Sequence, residues 1–202
     1  YHMSEVMRHF LGGMMKLSRE LAVFIAPNVN SYKRFAALSW APVNVVWGRD
    51  NRTTGFRIVG HGQGLHIEDR FPGGDMNAYL TYAAMVGAGL WGIEHKVEPP
   101  DEFKGNGYVA TGCDRMPRAL WEAIQELERS EAAVEILGQT ALQCGDRAIL
   151  APGAEMRLRE FDDDGGSGQS GRGVYDYGGG GDAGVEQLQF QFCERDADGE
   201  CV

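Results

Sequence analysis

The chain has 202 residues, of which 43% are hydrophobic, so it is long enough for one domain with a buried core. Its net charge of −10 is uneven: residues 1–138 carry 16 acidic and 14 basic residues (−2), and residues 139–202 carry 13 and 5 (−8). This balance argues against nonspecific nucleic-acid binding, and the four cysteines lack the CxxC spacing of a zinc site. The first residues lack the basic start and apolar core of a signal peptide, so we expect a cytoplasmic protein.

An amphipathic helix is predicted near the start of the chain. Ser4 is a suitable N-cap, and apolar residues follow at spacings of three and four as far as Ile25, before Pro27 ends the pattern. Because a helical pattern begins almost at once, we expect the chain to be a fragment of a longer protein. A tag remnant at the N-terminus is the alternative.

Two short strands are predicted in the centre of the chain. Val43–Trp47 and Phe56–Val59 are rich in β-branched and aromatic residues. The polar run Gly48–Asn51 between them indicates a turn.

A third strand is predicted to begin at Leu65. Because side chains alternate along a strand, His66, Glu68 and Arg70 fall on the face opposite to Leu65 and Ile67. The three strands predict an antiparallel sheet with one charged face, packed by helices in an α+β fold. On spacing alone, a solvated face with incidental ion pairs is the alternative.

Two further helical regions are predicted. Residues 76–93 carry no charge and contain many small residues, which favours a tightly packed core helix with Asp75 as its N-cap over a membrane span. Residues 101–116 indicate a loop. Residues 117–137 predict one or two surface helices with a break near Ser130.

The last part of the chain, residues 139–202, differs in composition. Residues 165–184 contain ten glycines and cannot bury enough apolar surface to offset their backbone entropy. We expect an acidic, glycine-rich tail, produced by a shifted reading frame or, alternatively, forming a natural disordered extension. Within it, Leu188, Phe190 and Phe192 alternate as in a short strand.

Four arginines flank one acidic residue in the central sequence. Arg34, Arg52, Arg57 and Arg70 surround Glu68. Guanidinium groups bind phosphates and carboxylates in bidentate fashion, so this cluster predicts a site for anionic ligands. Glu68 would pair with the arginines or hold a divalent cation that bridges phosphate oxygens.

Several motifs occur in order between residues 4 and 138: Asn30–Arg34, Ala41–Val43, Asn51–Thr53 with Arg57, Ile67–Pro72 and Asp75–Leu80. Together they resemble the catalytic domain of the glutamine synthetase family. Three further stretches are most similar to its γ-glutamylpolyamine synthetase branch: Phe35–Ala37, Trp47–Arg52 and Gly92–His95. The resemblance implies that residues 1–138 are part of an ATP-dependent ligase, using Mg²⁺ or Mn²⁺. Such a ligase joins the γ-carboxylate of glutamate to ammonia or a polyamine through γ-glutamyl phosphate.

The resemblance also implies a role for each residue of the cluster. Arg34 corresponds to an arginine that binds glutamate, and Arg52 and Arg57 correspond to those on the ATP phosphates. Glu68 corresponds to a ligand of the metal on the phosphate side. Arg70 corresponds to a second arginine at the glutamate and γ-phosphoryl position, so Arg52 and Arg70 are the expected catalytic residues.

Two positions depart from the pattern of glutamine synthetases proper. Six residues after the glutamate-binding arginine, those enzymes carry a glutamate that helps to bind and deprotonate ammonium, and here that residue is Trp40. An aromatic ring can contact an alkyl or cationic amine, which favours a substrate amine larger than ammonia. Tyr108 lies near a tyrosine that some bacterial members adenylylate, but Val109–Thr111 do not match that motif, so we do not expect this regulation.

The family's other metal ligands and its N-terminal domain are expected upstream of Tyr1. In family members the active site is completed between subunits of a ring, so we expect glutamate, an amine and a homo-oligomer as partners, without nucleic acid or membrane. The rival hypotheses are a non-catalytic relative acting as a structural or regulatory subunit, and an inactive fragment.

Overall fold

A computed structural model describes residues 3–36, 39–138 and 188–191. Within these residues the α-helices and β-strands, in chain order, are α1 (Glu5–Lys16), α2 (Ala22–Ile25), β1 (Trp47–Arg49), β2 (Phe56–Val59), β3 (His66–Asp69), α3 (Ala78–Glu94), α4 (Leu120–Glu128), α5 (Glu131–Leu137) and β4 (Leu188–Gln191). The fold combines helices with one small sheet, as expected of an α+β protein. Apart from β4, the predicted tail at residues 139–202 lies outside the described residues, and its domain boundary stays a prediction.

The four described strands form one mixed sheet in the order β1-β2-β3-β4. β2 and β3 pair antiparallel, with Arg57 opposite Glu68, and β3 pairs antiparallel with β4. β1 and β2 are parallel, with Gly48 opposite Arg57, so the prediction of an antiparallel sheet is wrong for this pair.

The first strand was predicted at Val43–Trp47, but β1 begins at Trp47 because the residues before it pair with another part of the chain. Val45 N donates to Asp114 O over 2.8 Å, and Met116 N donates to Val43 O over 3.0 Å. This segment is therefore paired outside the sheet. The predicted turn at Gly48–Asn51 begins later than expected: Gly48 and Arg49 belong to β1, and the chain turns at Asp50.

The loop after β1 carries the chain back so that β2 runs in the same direction. Asp50 adopts a positive φ of 48°, and Asn51 Oδ1 then accepts a hydrogen bond from Thr53 N at 3.0 Å. Gly55 N donates to Val46 O over 3.0 Å, which places the start of β2 beside the start of β1. This loop thus connects two parallel strands, where a turn between antiparallel strands was expected.

The first predicted helix is two helices in the structure. Ser4 is the N-cap of α1, as predicted, and its Oγ accepts a hydrogen bond from Met7 N at 3.0 Å. α1 ends at Lys16, where Ser18 Oγ donates to Met14 O over 2.7 Å. The hydroxyl binds the carbonyl that a continued helix would have paired with the backbone N–H of the same serine.

Asn77, rather than the predicted Asp75, is the N-cap of α3. Its side-chain oxygen accepts hydrogen bonds from Tyr79 N at 3.1 Å and Leu80 N at 3.3 Å. The Asp75 carboxylate instead accepts a hydrogen bond from Ser31 Oγ. Asp75 therefore ties the segment before α3 to the 3₁₀ helix Val29–Arg34.

The predicted break at Ser130 is confirmed. Ser130 Oγ accepts a hydrogen bond from Ala133 N at 3.0 Å and caps α5 directly after α4. Among the described residues, no helix combines the length and apolar character needed to span a membrane. α3 is nevertheless not enclosed on all sides, since Tyr79 is 88% exposed and Leu90 is 57% exposed.

Helix α3 is held against α1 at a close backbone approach. A Cβ atom on Gly92 would lie 2.5 Å from Gly13 Cα and 2.3 Å from His9 O. Below the sheet, the rings of Phe56 and Phe71 meet edge to face with centroids 5.4 Å apart, and both are fully buried. This core fixes β2, β3 and the residues that follow β3.

Candidate anion-binding site

A buried carboxylate lies between two guanidinium groups at the centre of the sheet. The Glu68 side chain is 2% exposed, and its Oε2 accepts a hydrogen bond from Arg57 Nη1 at 2.8 Å. Its Oε1 lies 3.5 Å from Arg70 Nε. Because Glu68 and Arg70 are both buried, the alternative of a solvated face with incidental ion pairs does not describe them. His66 is more exposed, so the expectation of one charged face stays a prediction.

Strand register brings Arg57 and Glu68 together. They lie directly opposite each other on β2 and β3, where side chains on the same face are neighbours. Arg57 Nη2 also donates to Asp50 of the loop after β1. Burial alone would lower the pKa of Arg57, but its bonds to Asp50 and Glu68 raise it above its ordinary value. The same hydrogen bond from Arg57 lowers the pKa of Asp50.

Backbone carbonyls hold Arg70 in place. Its Nη1 donates to Arg52 O and, over 3.2 Å, to Thr54 O, while its Nη2 donates to Trp40 O over 3.1 Å. Burial lowers the pKa of Arg70. Neither Arg70 Nε nor Glu68 Oε1 has a hydrogen-bond partner among the described residues, although both atoms are buried. Arg57 Nε is also buried without a hydrogen-bond partner there, so the described part of the site keeps two donors and one acceptor without hydrogen bonds, which a bound ligand would satisfy.

Arg34 lies beside this cluster at the end of its 3₁₀ helix. Its Nη2 donates to Phe71 O, and its guanidinium carbon is 5.0 Å from the centroid of the Phe35 ring. Burial lowers the pKa of Arg34, and the charge of Arg70 adds to this effect. Arg34 Nη1 is buried without a hydrogen-bond partner in the described part of the chain. It is a further buried donor without a hydrogen bond next to the cluster.

The Arg52 side chain lies elsewhere, on an open cleft next to the cluster. Arg52 is exposed, and the cleft that it lines has a volume of about 750 Å³. The charged residues of this cleft are Arg49, Asp50, Arg52, Arg57, Glu102 and Lys104. Four cations against two carboxylates make the cleft suitable for an anion such as a polyphosphate.

Glu68 fits a metal site as one ligand. Its unsatisfied buried Oε1 is the kind of hard oxygen donor that Mg²⁺ or Mn²⁺ takes, and its neighbouring arginines suit bridging phosphate oxygens. Within residues 3–36 and 39–138, however, no group of three His, Cys, Asp or Glu ligand atoms within 4.8 Å includes Glu68. The other ligands of such a metal would come from outside the described residues, and the role of Glu68 stays a prediction.

Trp40 and Tyr108 border the cluster in different ways. Trp40 is 72% exposed, and its carbonyl accepts a hydrogen bond from Arg70. The Tyr108 hydroxyl is buried, and its deprotonated, negatively charged form would raise the pKa of Arg70. The absence of tyrosine adenylylation stays a prediction.

Two carboxylates near the cluster were not singled out by the sequence analysis. Asp50 fixes Arg57 from the loop after β1. Asp69 is fully buried, and burial raises its pKa to about 7. A signal for Asp69 existed: strand alternation places it on the apolar face with Leu65 and Ile67, where an acid is costly.

Comparison with known proteins identifies the relatives of this chain. The family model described as "Glutamine synthetase, catalytic domain" matches residues 1–144. Over 136 residues the chain is 48% identical to γ-glutamylethanolamide synthetase GlnA4 of Streptomyces coelicolor, covering 67% of this chain and 29% of that protein. Over 125 residues it is 49% identical to glutamate–isopropylamine ligase of a Pseudomonas species, covering 61% and 27%.

The chain is also similar to a glutamine synthetase and to a solved structure. The chain is 40% identical over 144 residues to glutamine synthetase of Pyrococcus horikoshii, covering 67% of this chain and 32% of that protein. The structure "GmaS/ADP complex-Conformation 1" superimposes with a TM-score of 0.64 at 33% identity, covering 73% of this chain and 36% of that one. The chain thus spans less than a third of the length of these curated relatives. It belongs to the glutamine synthetase family and carries part of the catalytic domain.

Proposed function

We propose that the protein to which this chain belongs is an ATP-dependent ligase that joins the γ-carboxylate of glutamate to an amine. The observation that carries the proposal is the buried cluster Arg57–Glu68–Arg70, with its unsatisfied Arg70 Nε and Glu68 Oε1. Such a cluster suits the transfer of a phosphoryl group between anionic partners. Family membership supports it, since the matched relatives include γ-glutamyl amide ligases and glutamine synthetases.

The reaction proceeds in two steps. The γ-carboxylate oxygen of glutamate attacks the γ-phosphorus of ATP, ADP leaves, and γ-glutamyl phosphate forms. The amine nitrogen then attacks the acyl carbon, loses a proton, and expels inorganic phosphate. A divalent metal held in part by Glu68 would neutralise charge on the phosphoryl oxygens.

The arginines divide the binding of the two anions. Arg52 and Arg57, which line the open cleft, bind the ATP phosphates. Arg34, whose Nη1 is a free buried donor, binds the glutamate. Arg70 is held by three backbone carbonyls, so it presents a fixed positive charge to the γ-phosphoryl group without reorganisation during the reaction.

The proposed amine is organic rather than ammonium. Trp40 occupies the position of the ammonium-binding glutamate of glutamine synthetases, and its exposed ring can pack on an alkyl chain or an ammonium group. The names of two relatives point in the same direction, since they specify ethanolamide and isopropylamine as the amide and the amine. We further propose a cytoplasmic homo-oligomer in which neighbouring subunits complete the site.

The test is glutamate- and amine-dependent phosphate release by the full-length protein. Arg52→Ala removes a side chain on the cleft and is expected to abolish release, whereas Arg129→Ala, at an exposed position on another surface, leaves it unchanged. Turnover retained by Arg52→Ala would refute the assignment. The chain alone is expected to be inactive because Glu68 supplies only one metal ligand, so measurable glutamate-dependent ATP hydrolysis by it would contradict that expectation.

A further inference from the structure

A second group of metal-ligating side chains lies at the C-terminal end of α3, apart from the arginine cluster. Glu94 is the last residue of α3, His95 is its C-cap, and Glu135 faces them from α5. One ligand atom of each lies within 4.8 Å of the others, and His95 Nε2 is 4.0 Å from Glu135 Oε1. All three residues are exposed.

Trp91 orients both the imidazole and the Glu135 carboxylate. The His95 Nδ1 atom is 2.9 Å from Trp91 O, and a carbonyl can only accept, so Nδ1 carries the proton. The lone pair of the neutral ring is then on Nε2, the atom that faces Glu135. The indole stacks on the imidazole with centroids 4.2 Å apart, and its Nε1 donates to Glu135 Oε2 over 2.9 Å.

This arrangement has the form of a metal site with its supporting contacts in place. Histidine ligands characteristically donate their second N–H to a carbonyl, and carboxylate ligands are themselves hydrogen-bonded by neighbours. Here one tryptophan supplies both contacts, and it leaves Nε2 of His95 and Oε1 of Glu135 pointing at each other.

We propose that Glu94, His95 and Glu135 bind a divalent transition metal of the Zn²⁺ class. The ligands are His95 Nε2, Glu135 Oε1 and one oxygen of Glu94, with a fourth position open to solvent. Zinc bonds of about 2.0–2.1 Å place tetrahedral ligands roughly 3.4 Å apart, so the 4.0 Å between His95 Nε2 and Glu135 Oε1, and separations of up to 4.8 Å to Glu94, must close. The side chains of His95 and Glu135 are 41% and 54% exposed, which leaves them room to do so.

Two features select the kind of cation. The imidazole nitrogen favours Zn²⁺ over Mg²⁺ or Ca²⁺, which take oxygen ligands. The C-terminal end of a helix carries partial negative charge from its free carbonyls, so the end of α3 attracts a cation to this position. The bound metal would join the end of α3 to α5, two helices that also meet through the Trp91–Glu135 hydrogen bond and through apolar contacts such as Ile136 against Gly87.

The experiment uses the full 202-residue chain with its four cysteines alkylated, so that thiolates cannot bind the metal. Co²⁺ is titrated as a spectroscopic probe, and Zn²⁺ is then added to displace it. We expect saturable one-to-one binding, a visible absorption band of low-coordinate Co²⁺, and quenching of tryptophan fluorescence because Trp91 stacks on the ligand His95. Zn²⁺ is also expected to raise Tm because it binds the folded state.

Variants assign the binding to these residues. His95→Ala and Glu135→Gln each remove a ligand at an exposed position and are expected to weaken binding at least tenfold without loss of helical circular dichroism. His61→Ala, at another exposed histidine, is the matched control and keeps the wild-type affinity. Trp91→Phe keeps an aromatic stack but removes the donor to Glu135, so it is expected to weaken binding roughly tenfold with the same stoichiometry.

The outcomes separate the site from a simple ion pair. Unchanged affinity in His95→Ala, or no saturable binding by the wild-type chain, would show that the three side chains form only a surface ion pair. Unchanged affinity in Trp91→Phe would overturn the positioning role of the indole. Because the readout is metal binding and not catalysis, these results do not depend on the proposed ligase activity.

Discussion

Arg57 and Glu68 lie directly opposite each other on β2 and β3, and Arg57 Nη1 donates to Glu68 Oε2 over 2.8 Å. The Glu68 side chain is only 2% exposed, and Arg70 lies against its other oxygen. The three charged groups of Arg57, Glu68 and Arg70 stabilise the fold only when all of them are present. Removing one member leaves uncompensated charge in the interior.

Glu68→Ala is therefore expected to lower the free energy of unfolding by about 3–5 kcal/mol. Urea denaturation measures this loss. The matched control is Glu98→Ala, because Glu98 also pairs with an arginine, Arg8, but their side chains are 56% and 43% exposed. A solvent-screened pair of this kind contributes about 1 kcal/mol or less. Similar losses in the two variants would show that burial does not set the strength of the central pair.

Asp69 predicts a pH dependence of stability. Burial raises its pKa from 3.8 to about 7, although the backbone hydrogen bond from Phe71 and the charge of Arg34 oppose the rise. The folded state thus holds this proton more tightly than the unfolded state. The stability it contributes is fully present below about pH 4 and is lost as pH rises to about 7, by roughly 4 kcal/mol at most.

Asp69→Asn removes this dependence, because a carboxamide stays neutral and its oxygen can still accept the 2.9 Å hydrogen bond from Phe71 N. Urea unfolding between pH 4 and 7 should show the variant gaining stability relative to wild type as pH rises. Asp101→Asn, at an exposed position, is the control for the general titration of carboxylates. A constant difference between Asp69→Asn and wild type across this range would contradict the prediction.

Features set by a few neighbouring residues could be predicted from the sequence. The Ser4 cap, the break at Ser130 and strand Phe56–Val59 follow from local side-chain chemistry and alternation, and the structure confirms them. The parallel pairing of β1 depends on the path of a loop and on distant partners such as Asp114, which no local pattern reveals.

The pairing of Arg57 with Glu68 could be expected from the sequence, but the way in which Arg70 is held could not. Arg57 and Glu68 follow from strand alternation once their strands are paired. The acceptors that fix Arg70 are backbone carbonyls, which every residue carries, so the sequence gives no sign of them. Side-chain burial, which distinguishes Arg70 from the exposed Arg52, also depends on the tertiary fold.

Gly92→Ala tests the contact between α1 and α3. The added methyl group would meet only backbone atoms, His9 O at 2.3 Å and Gly13 Cα at 2.5 Å, so the helices must separate. We expect a loss of about 1–3 kcal/mol in the free energy of unfolding, despite the higher helix propensity of alanine. Gly64→Ala is the control because nothing lies within 4 Å of its added Cβ. Equal stability of the two variants would mean that the helices do not pack this closely.

Trp40 gives the sharpest test of the proposed amine. Its ring is 72% exposed, while its carbonyl accepts a hydrogen bond from Arg70 Nη2 at 3.1 Å, so Trp40→Ala changes the ring and keeps the atom that anchors Arg70. In the full-length protein we expect kcat/KM for putrescine or ethanolamine to fall about tenfold, the size of one cation–π or packing contact. The value for ammonium should change little, because ammonium has no alkyl chain to pack on the ring.

Trp121→Ala is the matched control, since Trp121 is 55% exposed on α4. A selective loss with organic amines identifies the Trp40 ring as part of the amine pocket. Equal losses for ammonium and organic amines would instead mean that the substitution disturbs Arg70 and therefore phosphoryl transfer, the step common to both. No loss with any amine would place the amine away from Trp40 and would leave only the names of the relatives in favour of an organic amine.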